Sequence, residues 1–327
     1  RTHGGYIKPP PASEDRALGA GGKGVRAMAT REEDYVETVF TASTHDYSLV
    51  FTSFGRVYRK KGYQIPEAGR AARGTNIVNI LPVEPGEKVS AMLHVREFGD
   101  MYIFMVTRSG TVKRLPLDAI KNIRKTGIRA LSIAEDDELI TVRLTDGKQN
   151  ILIATHEGYA ICFDENDVRP MGREAAGVRG IKLREGDYVV GAGRAGGGTA
   201  LLSVTENGYG KRTELDEYLR GGDGERQPQS RGGMGLKNYN CTEKTGFVAD
   251  VKVVHDDDDL LIVADDGTII RTAASGVSIL GRATQGVRIM RPNPGAKVIS
   301  VARTDREEED GAEAEPSEAP ETGETDE

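Results

Sequence analysis

Gly110–Arg129, GTVKRLPLDAIKNIRKTGIR, is the stretch whose reading decides the fold. An apolar run, Met101–Thr107 (MYIFMVT), reaches it through Arg108-Ser109. The short strand that leaves Gly110 carries Lys113 and Arg114, and the loop beyond holds Pro116, Arg124 and Lys125. The loop ends at Gly127-Ile128-Arg129, where alternation resumes. A β-branched residue, two turn residues and then Gly form a hairpin signal, because Gly accepts positive φ without steric cost.

The same pattern recurs along the chain. Turn glycines stand at Gly5, Gly55, Gly110, Gly158, Gly208 and Gly267, at intervals of 50, 55, 48, 50 and 59 residues. Thr lies three residues before the first five, and Ala264 before the sixth. A second landmark, Gly followed by an apolar residue and a base, occurs as Gly24-Val25-Arg26, Gly127-Ile128-Arg129, Gly177-Val178-Arg179, Gly235-Leu236-Lys237 and Gly286-Val287-Arg288. Gly74-Thr75-Asn76 is its polar variant. The two glycines are 17 or 19 residues apart except in the fifth unit, where the gap of 27 places an insertion in Leu219–Gln229 that is expected to be a mobile loop. Gly86-Glu87-Lys88-Val89 and its counterparts predict a further strand before each later hairpin. The last, Gly295–Ala302, has no hairpin after it and is expected to close a ring near Tyr6. Units of about fifty residues with four strands each predict an all-β, six-bladed radial fold over residues 1–304.

Composition agrees. The chain has 41 Gly, no Trp and 37% hydrophobic residues, which suits an aliphatic, turn-rich β protein. The absence of an apolar run of 18 residues or of a signal peptide points to a soluble, cytosolic chain with no membrane partner. Its start inside a strand-like pattern suggests a fragment of a longer protein. Cys162 and Cys241 read as buried thiols. The net charge of −7 conceals two regions. Asp305–Glu327 holds 12 acidic residues and one Arg and reads as a disordered tail, whereas the body before it carries a net +4.

Bases cluster at two registers. After the hairpins stand Lys8; Arg56, Arg59, Lys60 and Lys61; Lys113 and Arg114; Lys211 and Arg212; and Arg271. The fourth unit has Ile161-Cys162-Phe163 instead. In the loops stand Arg70, Arg73, Arg124, Lys125, Arg173, Arg231 and Arg282. If the units are radial, equivalent positions share one rim, and the bases form a curved belt suited to a bent polyanion. Two plainer readings remain open: solvated surface charge, and an Arg four residues before the second Gly that clamps loop carbonyls in each blade.

Other motifs lack their required context. Gly19–Gly24 and Gly191–Gly196 match G-x-G-x-x-G without the strand-to-helix setting of a dinucleotide site. The five His show no metal spacing, and the consecutive carboxylates Asp256–Asp259 fit a solvated turn better than a calcium loop. No catalytic constellation is apparent.

The repeat, with residues 44–81 (THDYSLVFTSFGRVYRKKGYQIPEAGRAARGTNIVNIL) and Ser230–Gly246 (SRGGMGLKNYNCTEKTG), resembles the C-terminal DNA-wrapping domains of the bacterial DNA gyrase A proteins, over essentially the whole chain. The resemblance implies a six-bladed β-pinwheel whose outer rim bends duplex DNA so that the holoenzyme introduces negative supercoils. It implies association with the rest of gyrase A and with gyrase B in an A2B2 complex in the bacterial cytoplasm, near the nucleoid. No catalytic residue, metal or cofactor is expected in this domain; ATP and Mg2+ belong to other parts of the enzyme. The belt would comprise the bases named above with Lys23, Arg26, Arg129, Arg179, Lys237 and Arg288. The family's box, Gln-Arg-Arg-Gly-Gly-Lys-Gly, falls on Leu18-Gly19-Ala20-Gly21-Gly22-Lys23-Gly24 and is degenerate there; Gln229–Gly235 is the closer match. Alternatives are the topoisomerase IV counterpart, a protein-interaction propeller, and an enzyme with its site in the central channel. Neutralising about 6–10 phosphates predicts that affinity falls roughly 10³–10⁵-fold between 50 and 200 mM salt.

Overall fold

The computed structural model describes residues 6–7, 25–26, 47–61, 75–76, 79–95, 98–222 and 224–304. Among them are 22 strands, numbered in chain order. The unit containing the decisive stretch forms a hairpin of β7 (Tyr102–Thr107) and β8 (Thr111–Pro116). On one side of this hairpin lies β10 (Leu139–Thr145), and on the other β13 (Val178–Arg179), so the sheet order is β10-β7-β8-β13. The outer strand is supplied by the following repeat.

The same exchange recurs in four more sheets. β3 (Tyr47–Thr52) and β4 (Arg56–Lys61) pair with β6 (Val89–Val95) and β9 (Ile128–Arg129). β11 (Asn150–Thr155) and β12 (Tyr159–Asp164) pair with β14 (Val189–Arg194) and β17 (Leu236–Lys237). β15 (Ala200–Thr205) and β16 (Tyr209–Glu214) take β18 (Val248–Val254) and β21 (Val287–Arg288). β19 (Asp259–Ala264) and β20 (Thr268–Ala273) take β22 (Val298–Thr304) and, from the first repeat, β2 (Val25–Arg26). Each blade's outer edge is thereby covered in part by a neighbour, which leaves less unpaired backbone exposed.

Three expectations are corrected. The described residues form five four-stranded blades, not six; the first repeat otherwise contributes β1 (Tyr6–Ile7), paired with β5 (Thr75–Asn76). The orphan strand β22 does not complete the first unit: it pairs with β19 in its own blade, and the ring contact between first and last repeats is β2 on β20. Leu219–Gln229 is tied rather than loose at its base, through an Arg220–Gln227 bridge and Gln229 N donating to the Cys162 carbonyl (2.7 Å). The expected tail, Asp305–Glu327, lies outside the described residues.

The turn chemistry explains the repeat. Gly110 N donates to Thr107 O and Gly208 N to Thr205 O, both at 3.0 Å, with φ of 87° and 84° at the glycines. The Thr hydroxyl then accepts the amide beyond the turn, as Thr107 does from Thr111 N (3.2 Å) and Thr205 from Tyr209 N (3.1 Å). The turn-glycine carbonyl receives the next repeat: Gly180 N donates to Gly110 O (2.8 Å), and Ile289 N to Gly208 O (2.9 Å). Apolar clusters fill the spaces between blades, for example Leu49, Phe51 and Val57 with Ile103, Met105 and Leu115.

Candidate nucleic-acid interface

The bases that follow the hairpins are placed inside. Lys113 is fully buried, and its Nζ donates to the carbonyls of Ala130 (2.9 Å), Arg173 (2.7 Å) and Ala175 (2.9 Å). Lys211, three residues after its own turn Gly, repeats the arrangement with the carbonyls of Gly281 (2.8 Å), Arg282 (2.6 Å) and Thr284 (3.2 Å) and with Thr284 Oγ1 (3.0 Å). Burial pulls both ammonium groups down to about 8. Tyr58, Ile161 and Ile270 occupy the same register and are buried too.

At the next register Arg114 and Arg212 are held by the loop of the following repeat, and Arg271 by the neighbouring strand of its own hairpin. Arg114 Nε donates to Val168 O (2.8 Å), and its Nη1 lies 3.3 Å from the buried Glu165 carboxylate. Arg212 Nε donates to Val277 O (2.7 Å) and the guanidinium pairs with Asp256; Arg271 Nε pairs with Asp259 (3.0 Å). Lys113, Arg114, Lys211, Arg212 and Arg271 therefore do not face the rim as the sequence suggested. Consecutive residues such as Lys113 and Arg114 point to opposite faces of the strand, and both faces are covered, so each meets carbonyls or carboxylates that neutralise it. Asp256 and Asp259 of the acidic run are engaged in these pairs, and Asp258 Oδ2 accepts His255 N (2.7 Å).

The loop arginines act as clamps. Arg173 Nη1 lies 3.5 Å from the Arg129 carbonyl, Arg231 Nη1 donates to Arg179 O (2.6 Å), and Arg282 Nη1 to Lys237 O (2.9 Å). In each case a loop Arg holds the base-bearing outer strand contributed by the preceding repeat. Arg231 also donates from Nε to Asp167 O (3.0 Å). Because these are charge-assisted but partly solvated bonds, Arg231→Ala is expected to cost about 1–2 kcal/mol of stability. Urea denaturation measures it; an unchanged midpoint would show that the clamp contributes nothing.

A second set stays at the surface. Arg59, Arg124, Lys125, Arg129, Arg179 and Arg288 are exposed, and Arg56, Lys60 and Lys237 are half-buried. A cleft of about 620 Å3 brings Arg59, Lys121, Arg124 and Arg173 together from three successive repeats. Lys121 was missed in the sequence because it lies between the two basic registers, after Arg114 and before Arg124; its proximity to Arg124-Lys125 was the available signal. Arg184, also missed, lies 3.4 Å over the Tyr159 ring, and Lys237 lies 5.0 Å over the same ring. Arg288 stacks on Tyr209 at 4.5 Å and donates to its hydroxyl (2.8 Å). Nearby carboxylates temper the surface: Glu174 is 3.8 Å from Arg129, and Glu84 3.4 Å from Arg56.

Several candidates are not placed. Lys8, Lys23, Arg70, Arg73 and the degenerate box Leu18–Gly24 lie outside the described residues, and for Arg26 and Lys61 only the strands are described. Among the described residues no group of His, Cys, Asp and Glu could hold a metal, and no helix is long and apolar enough to cross a membrane. Cys162 is buried, its thiol pushed up to about 12, and Cys241 is partly covered.

Comparison with known proteins agrees with this architecture. The family model described as DNA gyrase C-terminal domain, beta-propeller, matches residues 2–43, 46–96, 102–146, 149–195, 200–224 and 258–305. The DNA gyrase A protein of Staphylococcus aureus (strain NCTC 8325 / PS 47) is 44% identical over 313 residues, covering 94% of this chain and 34% of that protein. The chain thus spans about a third of the length of that relative. A solved DNA gyrase A C-terminal domain superposes with a TM-score of 0.81 at 26% identity, over 92% of this chain and 97% of the other. The C-terminal domain of a DNA topoisomerase IV shares the fold, with a TM-score of 0.70 at 24% identity, over 93% and 91%.

Proposed function

The chain belongs to the DNA gyrase C-terminal domain, beta-propeller family, and from that premise we propose that it binds duplex DNA through phosphate contacts along its outer rim and bends it around the blades. The observation that carries this reading is the cleft where Arg59, Lys121, Arg124 and Arg173 converge from successive repeats. Cations repeated around a curved surface meet a bent backbone at many points and read no base edges. Bending a 20–30 bp site by 40–90° costs on the order of 1–6 kcal/mol, so several phosphate contacts must offset it. Exposed Lys125, Arg129, Arg179 and Arg288 extend the track.

In this reading the domain serves the rest of gyrase A and its partner gyrase B in the bacterial cytoplasm, supplying DNA geometry while strand cleavage and ATP hydrolysis take place elsewhere. The wrapped segment is presented for strand passage, and negative supercoiling results. Arg26 shares the register of exposed Arg129 and Arg179 and is assigned to the same track, with Lys23, Lys61 and Arg73 beside it, whereas Lys8 shares the register of the buried Lys113 and Lys211, and Arg70 that of the clamps.

The test is fluorescence anisotropy with a labelled duplex across a salt series. The triple variant Arg59→Ala, Lys121→Ala, Arg124→Ala removes exposed cations and leaves the clamps intact. Affinity is expected to fall about 10- to 100-fold, and the slope of log K against log salt to shrink by roughly 2 to 3. An unchanged slope, or wild-type binding indifferent to salt, would remove the proposal.

A further inference from the structure

The inner strands β6, β10, β14, β18 and β22 lie side by side around the axis and border a cavity of about 280 Å3. Its lining includes Arg143 from β10, Gly191 from β14, Asp250 and Lys252 from β18, and Ser300 from β22. Arg143 and Lys252 occupy one register, paired with Phe104 and Leu202 of their hairpins. At that register β6, β14 and β22 carry Leu93, Gly193 and Ala302. Two of the five strands therefore place a cation where the fold accepts an apolar or small residue.

The single carboxylate between them is already engaged. Asp250 Oδ1 accepts Val251 N (2.8 Å), while Oδ2 accepts Val301 N (2.9 Å) and lies 3.2 Å from Lys252 Nζ. Gly191 makes room for it, since a Cβ there would lie 3.0 Å from Oδ1. Arg143 donates to the Val142 carbonyl (3.0 Å), which occupies one of its five N–H groups. Ser300 is 8% exposed, and its Oγ is buried with no protein partner.

The surrounding charges are mostly positive. Asp250 attracts Arg143, while Arg194 and Arg303 repel it, and burial together with that repulsion holds the guanidinium below its usual range. Arg194 donates to Leu144 O (2.9 Å); Arg303 donates to Val253 O (3.1 Å) and lies 3.6 Å from Asp258. Lys88 and Glu138 also line the cavity, and Glu138 is paired with Arg108 (3.3 Å). Arg143 and Lys252 are half-buried, and cations crowded together with only part of their hydration gain from a counter-anion.

We propose that this axial cavity is a binding site for a small tetrahedral oxyanion of the phosphate class, held by the Arg143 guanidinium, the Lys252 ammonium and the Ser300 hydroxyl. The guanidinium fork matches two oxyanion oxygens, and the hydroxyl and ammonium supply donors for the others. The volume suits one such ion with a few waters and lies below the range for drug-sized ligands, so a free ion is favoured over a nucleotide. An ion here would link β10, β18 and β22, and so couple three blades across the axis without touching the rim.

The experiment is thermal unfolding and calorimetric titration of the whole chain with inorganic phosphate, pyrophosphate and ATP, each against chloride at equal ionic strength. Phosphate is expected to raise Tm and to titrate with one site per chain, while ATP does neither. Arg143→Leu, which copies the Leu93 of β6, is expected to weaken phosphate binding at least tenfold, and Ser300→Ala several-fold. The triple rim variant is expected to keep the phosphate response, which separates this site from the DNA track. Should Arg143→Leu fail to fold, Ser300→Ala alone decides. No phosphate response, an equal response in both cavity variants, loss of the response in the rim variant, or ATP binding as strong as phosphate would each overturn the proposal.

Discussion

Lys211→Met is expected to lower the stability of the domain by about 1–3 kcal/mol at pH 7, the range for leaving a buried acceptor without its donor. Methionine nearly matches lysine in length, so packing is largely retained and the loss comes from donors. The Arg282 carbonyl loses its donor, whereas Gly281 O keeps the Thr284 hydroxyl (2.7 Å) and Thr284 O keeps Asn240 N (3.1 Å). Each buried acceptor left without a donor costs on the order of 1–3 kcal/mol, while relief of the buried ammonium offsets part of the sum. Urea denaturation measures the change; a stability within about 1 kcal/mol of wild type would show that the loop finds other donors.

The same lysine gives a pH signature. Its folded pKa, about 8, lies below the usual 10.5 because burial disfavours the charge. Between those values the unfolded chain binds the proton more often than the folded one, so stability contributed by Lys211 rises with pH across that window. Below pH 8 both states are protonated and the contribution is flat. The deficit of Lys211→Met is therefore expected to widen from about pH 8 towards about pH 9.5. A deficit that narrows there would contradict this account.

Gly208→Ala is expected to cost at least about 3 kcal/mol, beyond the ordinary range for a surface turn. The residue has φ 84°, which alone costs an L side chain about 1 kcal/mol. A Cβ would also lie 2.1 Å from the Met290 carbonyl oxygen and 2.9 Å from its carbon. Backbone must yield, and the backbone in question is the segment just after β21. Its amides at Ile289 and Met290 bond to Gly208 O at 2.9 and 3.1 Å, so the following repeat loses its hold on this blade. Gly186→Ala separates the two terms: its φ is 78°, but nothing lies within 4 Å of the added carbon. That variant should lose only about 1 kcal/mol, and equal losses at the two positions would show that strain, not contact, decides.

Both variants act on residues visible in the sequence as repeats, although only one of the two roles was legible there. Gly208 could be read directly, because a glycine three residues after a Thr, recurring at near-regular intervals, announces a turn needing positive φ. Lys211 could not. Its recurrence with Lys113 suggested a shared direction, and the direction is indeed shared, but it points inward. The partners that turn it lie 70 to 73 residues away, in a loop whose path no local pattern specifies. Arg231 was legible as an alternative, since an Arg four residues before four of the six second glycines suits a carbonyl clamp.

The sequence by itself determined the all-β class, the repeat boundaries, the hairpin turns and the abundance of cations per repeat. These follow from local rules: φ at glycine, alternation along a strand, and charge at a fixed offset. Tertiary structure decided the rest, namely that each short strand joins the preceding blade, that five four-stranded blades are formed among the described residues, and that Lys113 and Lys211 are anchors while Arg59, Lys121 and Arg124 line an open cleft. The physical reason is that a cation has no intrinsic preference between a phosphate outside and a cage of carbonyls inside. The choice depends on which backbone groups the neighbouring repeat brings within about 3 Å, the ordinary hydrogen-bond distance.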